Sequence, residues 1–197
     1  MHHSEGITRD RVVAILLILI GAVGWFASCQ LTIERVVQAG DASAQLNCDF
    51  SLIVQCGKNL ASWQGSLLGF PNPILGLGGF VAPIAVGAGL LSGARFARWY
   101  WIAFNVGMLG AVSFVGWLIS QSIFSLGTLC PWCMLVWSVT IPGFFVVTFR
   151  NLAAGVYGTR AAPVGGHLLA WTVPIVVAVY GGIAVLAQLR LDVIAHL

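Results

Sequence analysis

Five cysteines are the residues of this 197-residue chain with the most obvious capacity for chemistry. Two of them belong to the motif Cys130-Pro131-Trp132-Cys133. Proline is favoured at the first position of a helix, so the motif predicts a helix start with Cys130 near the N-cap. Free N–H groups and the positive end of the helix dipole favour a thiolate there. Two cysteines on one helical turn are neighbours that a disulfide can join, so we interpret them as a reversible redox pair. A static disulfide and half of a metal site are the alternatives.

The second candidate pair is Cys48 and Cys56, eight residues apart. In one straight helix their Cα atoms would be separated by roughly 12 Å, beyond the roughly 4.4–6.8 Å that a disulfide tolerates. If they pair, the segment must bend or unwind between them; a mobile segment would instead bring one of them to Cys130. Two pairs suggest a relay by thiol–disulfide exchange, and static stapling of the loop is the alternative. Cys29 has no partner in this scheme and is interpreted as a small buried apolar residue.

The composition places these cysteines in a membrane protein. Lys, Arg, Asp and Glu together make up only 8% of the chain, whereas soluble domains carry roughly 25%. Hydrophobic residues make up 59%, and the mean hydropathy is +0.95. So few charges cannot cover a soluble domain of this size. The composition therefore excludes a disordered tail, a nucleic-acid-binding module and an ordinary cytosolic enzyme.

Five apolar runs are long enough to cross a bilayer, which requires about 20 residues. The predicted spans are 12–33, 73–93, 99–120, 130–149 and 167–189. The first run follows Arg9 and Arg11 and therefore resembles a signal peptide, but it is longer than usual and no clear cleavage site follows. We therefore predict a retained helix. Residues 34–72, between the first two spans, are predicted to form the main segment outside the membrane.

Charge in the short connections predicts the orientation, because cytoplasmic loops are rich in Lys and Arg. With a cytoplasmic N-terminus, the basic residues inside are Arg9, Arg11, Arg95, Arg98, Arg150 and Arg160. The basic residues outside are Arg35, Lys58 and Arg190. This orientation places both cysteine pairs and the C-terminus on the exoplasmic side, where disulfides persist.

Several short motifs, in this order along the chain, resemble the vitamin K epoxide reductase family in its bacterial form. They are Cys48-Asp49 followed by Cys56, Ser62-Trp63, Phe70-Pro71-Asn72-Pro73, and Cys130-x-x-Cys133 at a helix start. The resemblance runs over roughly residues 12–150. It implies one all-α integral membrane domain over 1–197, in which a four-helix bundle surrounds a quinone below an exoplasmic cap. A fifth helix is found in bacterial members of the family.

The resemblance also implies a role for each of the four exoplasmic cysteines. Cys133 would engage the quinone, and Cys130 would be its disulfide partner. Cys56 would exchange with Cys130, and Cys48 would meet the reduced partner protein.

Four further residues match quinone-pocket positions by resemblance. Asn72 matches an asparagine that hydrogen-bonds a quinone carbonyl oxygen, and Ser62 and Trp63 match the cap where it meets the pocket. Trp137 stands where vertebrate members have a tyrosine. An indole can stack on a quinone ring but offers it no hydroxyl, which weakens the case for epoxide reduction and leaves thiol-to-quinone transfer intact.

We therefore expect a thiol oxidoreductase of the bacterial cell membrane. It would re-oxidise a DsbA-like thioredoxin-fold partner and pass the electrons to a menaquinone or ubiquinone, supporting disulfide formation in exported proteins. Because the sequence stops at Leu197 with no thioredoxin-like domain, the partner is expected to be a separate protein. No metal and no nucleic acid are expected.

Three other interpretations are open. A DsbB-like oxidase would carry out the same reaction with the two cysteine pairs in the opposite order. A thiol-based transporter of electrons or metal would require cysteines within the spans that face both sides of the membrane, and only Cys29 is left for that role. A zinc-binding scaffold would use four cysteines as tetrahedral ligands, although an oxidising compartment and a single C-x-x-C motif argue against it.

Overall fold

The computed structural model describes residues 2–41 and 43–196 and is built from helices. In chain order these are α1 (His2–Gly40), α2 (Gly57–Ala61), α3 (Pro73–Gly79), α4 (Val81–Leu91), α5 (Arg98–Ser120), α6 (Pro131–Ala153), α7 (Ala162–Ala170) and α8 (Thr172–Leu191). Within the described residues, five segments are long and apolar enough to cross a membrane: Asp10–Gly40, Pro73–Leu91, Arg98–Leu126, Pro131–Ala153 and Thr172–Leu191. The prediction of an all-α membrane bundle is confirmed.

Two predicted spans are interrupted where a proline removes a backbone donor. The predicted helix 73–93 is divided into α3 and α4, because Pro83 has no N–H for the carbonyl of Gly79. The predicted helix 167–189 is divided in the same way into α7 and α8, because Pro174 has no N–H for the carbonyl of Ala170. The helical hydrogen bonding is therefore interrupted within both segments.

The first helix extends beyond its predicted end at residue 33 and continues to Gly40. It continues because its last two turns still have an inward face. Glu34 is only 3% exposed, and the Gln38 side chain donates a hydrogen bond to the carbonyl of Gly57 at 3.0 Å. The segment predicted as an outer loop, 34–72, is therefore helical up to Gly40, and we refer to its remaining part, 41–72, as the cap. The side chain of Arg9, used above for orientation, lies outside the described residues.

Helix α1 lies at the centre of the bundle and packs against α3, α4 and α6, while α5 packs against α6. Small residues permit the close approach of α1 and α4: a Cβ atom on Gly87 would lie 2.6 Å from the carbonyl oxygen of Ala14. At the end of the bundle away from the C-x-x-C motif, the buried Arg150 lies 3.7 Å from the ring centroid of Trp101 and pairs with Asp10 at 3.5 Å. These contacts join α1, α5 and α6.

The fifth span contacts the fourth at a backbone carbonyl that a proline leaves without its helical donor. Pro142 lies inside α6 and leaves the carbonyl of Ser138 without its helical donor. The hydroxyl of Tyr180 in α8 donates to that carbonyl at 2.9 Å. Helix α8 also contacts a π-helical turn, Gln121–Leu126, which extends α5. The fifth helix thus packs against the bundle beside the segment that leads to Cys130.

Candidate active site

A short parallel pairing of two backbone segments brings the two cysteine pairs together. The N–H of Gln55 donates to the carbonyl of Leu129 at 3.0 Å, and the N–H of Leu129 donates to the carbonyl of Ile53 at 2.7 Å. Cys56 and Cys130 each follow this pairing directly in the chain, so they lie side by side. Their Sγ atoms are 3.0 Å apart, and both residues are fully buried.

Cys48 and Cys56 form a disulfide with their Cα atoms 5.7 Å apart. The pairing is possible because the chain turns back between them: the N–H groups of Phe50 and Ser51 donate to the carbonyl of Val54 at 2.9 and 3.0 Å. Of the two arrangements that the sequence allowed, the bent loop with a Cys48–Cys56 disulfide is the one in the structure.

Cys130 is the N-cap residue of α6, and Pro131 occupies the first turn, which confirms the predicted helix start. The backbone N–H of Cys133 points at the Sγ atom of Cys130 at 3.4 Å. Cys130 and Cys133 are both free thiols in this structure. Cys130 therefore lies between two sulfur neighbours, Cys56 on the cap and Cys133 one turn into the helix.

Asp49 holds the backbone on the N-terminal side of α2. Its carboxylate oxygen accepts hydrogen bonds from the N–H groups of Cys56 at 2.8 Å and Gly57 at 3.2 Å. The sequence identified Asp49 only as part of a motif and gave no signal for this capping role. Earlier in the cap, the hydroxyl and backbone N–H of Ser43 donate to Asp41 and hold the pKa of that carboxyl below its usual range.

A buried network of polar side chains joins the cap to the membrane helices. None of its members was among the predicted site residues. The Asn59 amide donates to the hydroxyl of Thr128 at 2.9 Å and accepts from the hydroxyl of Ser122 at 3.1 Å. Asn59, Ser122 and Thr128 are 9%, 4% and 1% exposed. Ser122 belongs to the π-helical turn, a feature that is frequent at functional sites. The sequence analysis did not identify this region, although the polar pair Gln121-Ser122 directly follows the predicted span 99–120.

A cavity of about 680 Å³ lies between the cap and α1, α3, α4, α5 and α6. Cys133 lines it, and most of the other lining residues are apolar. The polar side chains in the lining are Ser28, Asn59, Ser62, Gln64, Asn72, Gln121, Ser122 and Thr140. A mostly apolar cavity of this size with a few converging polar groups is typical of small-molecule sites. Its dimensions and lining fit a quinone ring with part of an apolar tail.

Three of the four predicted pocket residues line this cavity: Ser62, Asn72 and Trp137. The fourth, Trp63, does not belong to the lining. Its side chain is 65% exposed, and its ring lies 5.9 Å from that of Trp117. In this structure, Trp63 therefore contacts the C-terminal end of α5 and does not line the cavity.

The amide of Asn72 already has protein partners. Its oxygen accepts from the N–H of Leu67 at 3.1 Å, and its nitrogen donates to the carbonyl of Gln64 at 2.6 Å. The hydroxyl of Ser62 likewise donates to the carbonyl of Asn59 at 2.7 Å. Both residues fix the shape of the cap above the cavity, and one amide hydrogen of Asn72 has no protein acceptor.

The disulfide bears on the zinc alternative. With Cys48 and Cys56 oxidised, two of the four proposed ligands cannot bind a metal as thiolates. Among the described residues, no group of three or more His, Cys, Asp and Glu side chains is arranged to hold a metal ion.

The fold and the site define a membrane helix bundle in which a capped disulfide contacts a thiol pair beside an apolar cavity. The sequence profile of the vitamin K epoxide reductase family matches residues 15–148, about two thirds of the chain. The chain belongs to the vitamin K epoxide reductase family, and it is a membrane thiol oxidoreductase. Comparison with curated proteins gave no significant match.

Proposed function

We propose that this protein transfers electrons from the thiols of a DsbA-like thioredoxin-fold partner to a membrane quinone. The observation that carries the proposal is the 3.0 Å separation between the Sγ atoms of Cys56 and Cys130. This contact links a disulfide in the cap to a thiol pair, one member of which, Cys133, lines the cavity. A relay of this kind lets a bulky aqueous protein and a lipid-soluble oxidant react without meeting.

The cysteines carry the relay as two successive exchanges. A partner thiolate attacks Cys48, the second partner thiol completes the disulfide in the partner, and both cap cysteines are left reduced. The Cys56 thiolate then attacks Cys130 of a Cys130–Cys133 disulfide, and Cys133 leaves as a thiolate. Attack of Cys48 on Cys56 restores the cap disulfide and releases Cys130. Two electrons and two protons have then moved to Cys130 and Cys133, which is the redox state of this structure.

The cavity residues support the last transfer. The chemistry that a bound quinone supplies is the acceptance of two electrons and two protons. Cys133 lies at the wall of the cavity, where its sulfur can face the ring. Trp137 presents an apolar surface one turn further along α6. The free amide hydrogen of Asn72 offers a donor that carries no charge into the apolar site.

Partner access requires the cap to move, because Cys48 is only 2% exposed. The turn that follows it is prominent: Phe50 and Leu52 are 74% and 87% exposed. We propose that the partner binds on this side of the cap and displaces the segment around Leu46, which is buried against the disulfide.

The proposed location is a bacterial cell membrane with the N-terminus in the cytoplasm and the cap outside. The excess of arginines on the predicted inner side supports this orientation, and the Cys48–Cys56 disulfide suits an oxidising compartment. Attachment of a membrane-impermeant maleimide to Cys residues introduced at either end of the chain in intact cells tests it. Labelling of the N-terminal site from outside would reverse the orientation.

The test of the function is quinone reduction, followed by ultraviolet absorbance, by the purified protein with a reduced DsbA-like partner. Cys133→Ala should abolish turnover, and Cys29→Ala is the matched control that should retain it. Cys48→Ala should block oxidation of the partner but permit quinone reduction by a small dithiol. Turnover that survives in Cys133→Ala would contradict the proposed electron path, and full partner oxidation by Cys48→Ala would contradict the order of transfer.

A further inference from the structure

Among the polar side chains of the cavity lining, Gln64 has an unused hydrogen-bonding atom in a buried position. Its side chain is only 6% exposed, and its Oε1 atom is buried without a hydrogen-bond partner. Its Nε2 atom donates to Oε1 of Gln121 at 3.3 Å. A buried polar atom without a partner costs about 1–3 kcal/mol, so its persistence in a ligand cavity indicates an external partner.

The other polar groups of the lining have partners within the protein. Ser62 and Thr140 donate to backbone carbonyls at 2.7 and 2.8 Å, and Ser28 does so at 2.8 Å. Asn59 and Ser122 are bonded to each other at 3.1 Å. The oxygen and the nitrogen of the Asn72 amide also have one protein partner each, with one N–H left over. Because Oε1 of Gln64 has no partner, the two glutamines are the side chains whose terminal amides have most capacity left for a ligand.

The position of Gln64 is fixed from both sides. Its backbone carbonyl accepts the Asn72 amide at 2.6 Å, and the preceding Trp63 contacts Trp117 with ring centroids 5.9 Å apart. Gln121 lies four residues after Trp117, at the start of the π-helical turn. The cap is thus joined to the outer end of α5 at two successive residues, which holds the amide pair at the roof of the cavity.

We propose that the Gln64–Gln121 amide pair binds a ring oxygen of the quinone. As oriented here, the pair offers an acceptor, which suits the hydroxyl of the reduced ring. If both terminal amides rotate by half a turn, Gln121 donates to Gln64, and Gln64 offers an N–H donor, which suits the carbonyl of the oxidised ring. The pair can therefore hydrogen-bond both redox forms. In this chain it supplies a polar contact in a cavity where Trp137 has no hydroxyl.

This inference rests on the proposed function and is tested by binding rather than turnover. The protein used is the Cys133→Ala variant, so that no reaction occurs. Two probes of similar shape are compared: a short-chain 1,4-naphthoquinone, and 2-methylnaphthalene, which lacks the ring oxygens. Dissociation constants come from the thermal stabilisation that each probe produces.

Gln64→Met should weaken binding of the naphthoquinone by about threefold to tenfold, the effect of losing one hydrogen bond, and leave binding of the hydrocarbon unchanged. Gln45→Met is the matched control, because Gln45 is exposed on the cap, and it should change neither constant. Equal weakening of both probes would show an effect of shape, and unchanged naphthoquinone binding would show that Gln64 makes no hydrogen bond to the ring. Either result overturns this inference alone. Failure of the naphthoquinone to bind the variant with Gln64 intact overturns the proposed function as well.

Discussion

The network around Asn59 should control how often the cap opens over Cys130. Asn59→Ala removes the hydrogen bonds to Thr128 and Ser122, which together contribute about 1–3 kcal/mol. It also leaves two hydroxyls, 1% and 4% exposed, without their partner. Adding part of that desolvation penalty gives a loss of about 2–4 kcal/mol in the free energy that holds the cap closed.

The opening can be measured by maleimide labelling of Cys130, which is fully buried and therefore reacts only when the cap opens. When closing is faster than labelling, the labelling rate is proportional to the open fraction. Because about 1.36 kcal/mol corresponds to a factor of ten, Asn59→Ala should raise the rate by about 30-fold to 900-fold. Mass spectrometry of the labelled peptide distinguishes Cys130 from Cys133.

Two controls separate cap opening from general unfolding. Asn47→Ala changes the same residue type at an exposed position of the cap, and it should leave the rate unchanged. The labelling rate of Cys29, within α1, should be the same in all three proteins if the bundle stays folded. If the labelling rate of Cys130 in Asn59→Ala were within threefold of the rate in the unmodified protein, the hydrogen bonds of Asn59 would not be what holds the cap closed.

Two further predictions concern the cap and the bundle. Asp49→Ala should lower the midpoint of thermal unfolding of the oxidised protein, because the N–H groups of Cys56 and Gly57 lose an acceptor worth about 0.5–2 kcal/mol. Asp49→Asn keeps an acceptor oxygen and should retain most of the stability. Equal losses in both variants would show that the charge of Asp49 matters and its capping hydrogen bonds do not. Gly87→Val should destabilise the bundle in detergent, because a Cβ atom there would lie 2.6 Å from a backbone oxygen of α1. Gly78→Val is the control and should leave the stability unchanged, because a Cβ atom at Gly78 meets nothing within 4 Å. Similar unfolding midpoints for the two valine variants would contradict the close packing of α1 and α4.

The sequence by itself determined the membrane class, the five spans and the start of α6. These features follow from local chemistry: apolar runs have few alternatives in a bilayer, and a cysteine followed by proline defines a first helical turn. The ordered motifs were also sufficient to indicate the family. The interruptions associated with Pro83 and Pro174 were not predicted, since an apolar run shows the length of a span but not whether its helix is continuous.

The pairing of the cysteines was decided by tertiary structure. Spacing alone left Cys48 free to join either Cys56 or Cys130, because a loop of that length can close in more than one way. The turn in which Phe50 and Ser51 donate to the carbonyl of Val54 brings Cys48 to Cys56. The backbone pairing between Gln55 and Leu129, which are far apart in the chain, then places that disulfide beside Cys130.

The lining of the cavity likewise depended on contacts between distant segments. Asn59, Gln64 and Gln121 have no informative spacing in the sequence, and their roles arise only when the cap docks on the end of α5. Trp63 shows the reverse case, since a motif predicted it at the pocket, whereas in the structure its ring contacts Trp117 and does not line the cavity. Local sequence determines whether a segment is a membrane helix or a loop. The direction of a side chain where two segments meet depends instead on the contacts between those segments.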